Sequence, residues 1–143
     1  MWGNSCYTFN MTTQYREDTL TQTLENLTRN MSGIRAAVIV NVDCLVVAAY
    51  PPASDDFNDP QGGHSVAATT ALITGLAERT LQRLAQGNLD RVMIEGEHGA
   101  IGVYPCTDDA TLAVLIDKQA KLGLALTLAR KTAAKIRSIL NKE

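Results

Sequence analysis

Apolar positions recur with two different periods along this chain, and the changes of period mark out its elements. Residues 18–31 place Leu20, Leu24, Leu27 and Met31 at helical spacing, which predicts a short helix with one apolar stripe. Asp18 or Thr19 is suited to cap its start and Gly33 to end it. Residues 34–41 (IRAAVIVN) form a β-branched run, and residues 45–50 (LVVAAY) form a second, so the pair predicts a hairpin bent at Val42, Asp43 and Cys44. A two-residue turn there would favour glycine, so Cys44 implies either a wider turn or a strained one. After the polar residues 51–63 a long helix is expected over residues 64–87, closed by Gly87 and Asn88. Residues 89–95 alternate as a third strand, residues 100–104 and 111–117 read as the next two, and residues 121–140 carry a helical stripe of Leu122, Ala125, Ala129, Ala133, Ile136 and Leu140. The order is α-β-β-α-β-β-β-α. Short connections between strands predict an antiparallel five-stranded sheet with helices on both faces, an α+β three-layer architecture.

The middle helix departs from the usual amphipathic pattern. Residues 66–77 contain no charge. Val66, Thr70, Ile73, Ala77 and Leu81 make one stripe, Leu72 and Leu76 widen it, and Ala68, Ala71 and Gly75 fill a third side. A helix apolar on so many sides needs more than one cover. The chain's own sheet supplies one, and a second copy of the chain is the natural other. This predicts a homodimer interface on Val66, Thr70, Ile73, Ala77 and Leu81, with Val92 and Met93 from the strand that follows.

Composition narrows the picture further. A chain of 143 residues, 45% hydrophobic and 20% charged, predicts one soluble domain over residues 17–143, preceded by a flexible leader over residues 1–16. The net charge of −2 gives no general reason to expect nucleic acid as a partner. Three widely spaced cysteines, Cys6, Cys44 and Cys106, suggest neither a disulfide framework nor a zinc site, and point to a reducing, cytoplasmic setting. No apolar run is long enough to insert in a membrane.

Catalytic chemistry leaves little trace. Neither phosphate-binding glycine pattern is present. Residues 96–99 (GEHG) suit a strand connection. Cys44 or Cys106 with His98 is the conceivable thiol–imidazole pair, but nothing around either cysteine resembles a nucleophile setting. The acids Asp90, Glu95 and Glu97 suit solvated strand edges, and His64 suits a helix start. Neither cofactor nor metal ion is expected. Arg79 and Arg83, one turn apart at the polar end of the middle helix, are candidates for partner contact together with Glu95.

The element order, with GIRAAVIVNVDCLVVAA, the apolar middle helix, LDRVMIEGEHGAIGVYPC and TLAVLIDKQAKLGLALTLARKTAAKI, resembles the Roadblock/dynein-light-chain domain family. Cys44 departs from the glycine usual in that family's hairpin turn. The resemblance implies a homodimer in which middle helices pack together and the strands after them join two sheets. It also implies a non-enzymatic module that binds and regulates a small Ras-like GTPase. A scaffold or light-chain-like adaptor without effect on GTP turnover, or a small-ligand sensor, are the alternatives.

Overall fold

The computed structural model describes residues 2–43, 45–51 and 66–141, with side chains from residue 16 in the first segment and residue 67 in the last. Its elements are α1 (Trp2–Asn30), β1 (Ile34–Asn41), β2 (Val46–Tyr50), α2 (Val66–Arg83), β3 (Val92–Glu95), β4 (Gly99–Pro105), β5 (Ala110–Asp117) and α3 (Leu122–Asn141). The order is the expected one, and the five strands form a single antiparallel sheet arranged β2-β1-β5-β4-β3. In this sheet β1 and β5 lie inside, and β2 and β3 are the edges.

Two boundaries differ from the sequence reading. Helix α1 begins at Trp2, ahead of the cap expected at Asp18 or Thr19, and so runs through the residues expected as a leader. Residues 4–17 contain neither Gly nor Pro, so nothing there halts a helix propagating back from the core. Helix α2 closes before Gly87. Gln86 N–H donates to Leu81 O and Ala85 N–H to Gln82 O, and Ala85 takes the left-handed conformation at φ 55°. This is the double hydrogen-bond closure in which glycine normally occupies the left-handed place. Gly87, at φ 90°, serves the turn that follows.

The β1–β2 connection is the wider kind. Asn41 N–H donates to Leu45 O, and the Asn41 side-chain oxygen accepts from the N–H groups of Asp43 and Leu45. An asparagine side chain thus replaces the glycine that a two-residue turn would require. Cys44 itself lies outside the described residues, as do His64 and the acidic residues 55–59.

Strand alternation divides the core into two unequal layers. Leu20, Leu24 and Leu27 of α1 and Ala125, Ala129 and Ile136 of α3 pack with Ile39, Leu112, Val114 and Ile116 on one face of the sheet. On the other face α2 lies over a thin layer of small residues, in which Ala67 meets Ala36, Val38, Val40, Val103 and Ala113. Ala67 is the fully described α2 residue within this layer. Helix α2 turns Ala67, Thr70 and Thr74 inward, and all three are buried. No helix among the described residues is long and apolar enough to cross a membrane.

Candidate functional site

The inward choice of α2 fixes what it presents outward. At 100° per residue, Leu72, Leu76, Arg79 and Arg83 fall opposite the buried threonines. Leu72 is 74% exposed and Leu76 is 67% exposed, where leucine ordinarily packs. Further along the same helix Arg79 and Arg83 are also exposed, so its outer face is apolar first and basic last.

Beside this helix lies β3, which pairs only with β4 and leaves its outer edge without a strand partner among the described residues. Val92 packs into the thin layer under α2, so by alternation Ile94 shares that face, and Ile94 is 46% exposed. Met93 and Glu95 point to the opposite face, the first half-buried and the second exposed. An edge strand unpaired among the described residues, with an exposed isoleucine, and a helix face with two exposed leucines thus both lie on the α2 side.

The residues named from sequence take up distinct positions. Thr70 has no accessible surface and lies on the inner side of α2, so it does not line the outer face. Ile73, Ala77 and Leu81 are half-buried at the flanks of α2, as are Val92 and Met93 on β3. Val66 opens the helix, and its side chain lies outside those described. Arg79, Arg83 and Glu95 are all exposed. The interface expected from sequence omits Leu72, Leu76 and Ile94.

Cys106 and His98 are not brought together, and Cys44 lies outside the described residues. His98 sits in the β3–β4 turn, closed by Gly96 N–H donating to Gly99 O, whereas Cys106 follows the far end of β4. Seven residues of strand separate them, roughly 20 Å at about 3.3 Å per residue. Cys106 is buried, and burial pushes its thiol up to about 12, which holds it protonated and unreactive. Burial likewise raises Tyr104, partly offset by the nearby guanidinium groups of Arg91 and Arg130; its hydroxyl donates to Leu126 O at 3.3 Å. Among the described residues no group of three His, Cys, Asp or Glu side chains is placed to hold a metal ion.

Fold and face together define a three-layer α+β domain that exposes apolar side chains on one helix face and along one sheet edge. A family model described as the Roadblock/LC7 domain matches residues 20–116, and the chain belongs to that family. It is similar to the uncharacterized protein MJ1340 of Methanocaldococcus jannaschii, 34% identical over 107 residues that cover 75% of this chain and 88% of that protein. Among solved structures it resembles the gliding protein MglB of Thermus thermophilus, with a TM-score of 0.75 at 17% identity, covering 90% of this chain and 93% of that one. The Roadblock/LC7 domain from Streptomyces avermitilis superposes with a TM-score of 0.72 at 19% identity, covering 84% and 96% of the two chains. At such identities the structural likeness speaks for the fold.

Proposed function

We propose that this protein is a non-enzymatic, homodimeric Roadblock module that binds and regulates a small Ras-like GTPase in the cytoplasm. The observation that carries the reading is the exposure of Leu72 and Leu76 on the outer face of α2, beside the unpaired edge of β3. Two copies related by a two-fold axis bring α2 against α2 and β3 against β3. Full burial of a leucine contributes about 1.5–3 kcal/mol. Four leucines then contribute roughly 6–12 kcal/mol, against an association cost on the order of 4–15 kcal/mol. Helix packing alone falls near balance, so pairing of the β3 edges and burial of Ile94 supply the surplus. Ile73, Ala77, Val92 and Met93 flank this contact.

Family membership supports the GTPase as partner, and Arg79, Arg83 and Glu95 are the polar groups left at the margin of the dimer face to meet it. With the Cys106 thiol held inert, the regulator acts by positioning the GTPase's own groups. The deciding experiment is capture of partners from source-cell lysate on the purified protein, in a non-hydrolysable GTP analogue and in GDP. A small GTPase retained with the analogue and released in GDP is the expected result, followed by a change in its GTP hydrolysis rate. Identical partners in both nucleotides, with no GTPase among them, would move the reading to a scaffold.

A further inference from the structure

A cleft of about 880 Å³ opens on the inner side of α2, at the end of the sheet where β1 finishes and β4 turns into β5. Its helical wall is a polar ladder in steps of four, Thr70, Thr74, Glu78 and Gln82. Asp108 of the β4–β5 turn and Arg137 of α3 stand among the groups lining the rest.

Two observations mark this cleft as a binding site. The first is Thr70. The threonines Thr23, Thr28, Thr74, Thr80 and Thr127 each donate a hydroxyl to the carbonyl four residues back in their own helix. Thr70 does not: its Oγ1 is buried without a hydrogen-bond partner, and the residue lines the cleft. An unsatisfied buried hydroxyl is costly and calls for a partner. The second is charge. Arg137 is anchored by its Nε, which donates to Cys106 O at 2.6 Å, and its guanidinium is in no ion pair among the described residues. Glu78 and Asp108 are likewise in no ion pair among those residues. Both α2 and α3 also end here, and helix C-termini favour positive charge.

We propose that this cleft binds a small zwitterion of the amino-acid class. Its carboxylate meets the guanidinium of Arg137, its ammonium meets Glu78 and Asp108, and a polar atom satisfies Thr70. Among the described residues the lining contains no aromatic side chain to stack on a base, and its two carboxylates against one guanidinium repel phosphates, so a nucleotide is the wrong ligand. This inference does not depend on the partner reading above.

The test is calorimetric titration of the full chain with the individual free amino acids. For each one that binds, the matching amine without the carboxylate and the matching acid without the amine are titrated as well. Saturable binding of at least one amino acid is expected, with both single-charge analogues weaker by roughly tenfold or more. Thr70→Val preserves shape, and Glu78→Gln changes an exposed position. Both should therefore fold as the parent does while weakening binding by roughly tenfold. No saturable binding by any amino acid up to about 10 mM, which is weaker than a typical small-ligand site, would overturn the proposal. So would binding that both variants leave unchanged.

Discussion

At the scale of single residues, Cys106 and Thr70 carry opposite consequences of burial. The Cys106 thiol is pushed up to about 12 from its ordinary 9.0, so the folded chain holds its proton where the unfolded chain loses it. That contribution is fully present below the unfolded value and is lost as pH rises from about 9 toward 12, at a rate of up to about 1.4 kcal/mol per pH unit. Urea midpoints should therefore fall between pH ~9 and pH ~11 in the parent, and fall less steeply in Cys106→Ala. Labelling of the Cys106 thiol, followed by peptide mapping, should be slow in the native protein and rapid in denaturant. Thr70 presents the converse case. Its hydroxyl is buried without a partner, so Thr70→Val should raise stability by about 1 kcal/mol in the absence of ligand, read as a higher urea midpoint. Loss of stability in that variant would mean the hydroxyl has a partner after all.

At the scale of elements, the closure of α2 and the start of β1 are the places where backbone geometry constrains the side chain. Ala85 occupies the left-handed position at the end of α2, where a Cβ costs about 1 kcal/mol relative to glycine. Ala85→Gly should therefore raise the melting temperature, less a small loss from added freedom in the unfolded chain. The expectation from sequence placed this closure at Gly87 and Asn88, because glycine is the usual marker; the chain instead closes its helix earlier, on an alanine. Gly33 is the reverse situation. A Cβ there would stand 2.2 Å from the Ala120 Cβ, so α1, β1 and the β5–α3 connection meet with no room to spare. Gly33→Ala should destabilise the domain by roughly 1–3 kcal/mol, seen in chemical denaturation.

At the scale of the whole molecule, the prediction concerns α2 and its two covers. Leu76→Asp places a charge on a side chain that is already 67% exposed in the single subunit, so the fold should survive with an unchanged circular dichroism spectrum. The native mass should fall to that of one chain. Retention of dimer mass would remove α2 from the interface. The exposed Arg130–Asp90 pair, which links α3 to the approach of β3, should matter little: Arg130→Ala is expected to cost under about 1 kcal/mol, because solvent screens such pairs.

Element order was legible in the sequence because the strands are apolar, β-branched runs bounded by turn residues and each flanking helix has one stripe, even though β1 is buried on both faces over Ala36–Val40. The bounds of β1 coincide with the run IRAAVIVN, and Leu20, Leu24, Leu27 and Met31 are all buried as their spacing requires. Local pattern sufficed where one side of an element was plainly apolar. It did not suffice for α2, whose uncharged first turns offer several apolar sides and no polar one to exclude. Only the tertiary structure chose among them: Ala67 packs with Ala36, Val38, Val40, Val103 and Ala113, and Ala67, Thr70 and Thr74 form the buried side. With that side inward, helical geometry places Leu72 and Leu76 outward. Periodicity thus determined which residues form elements; long-range packing determined which way the central helix faces.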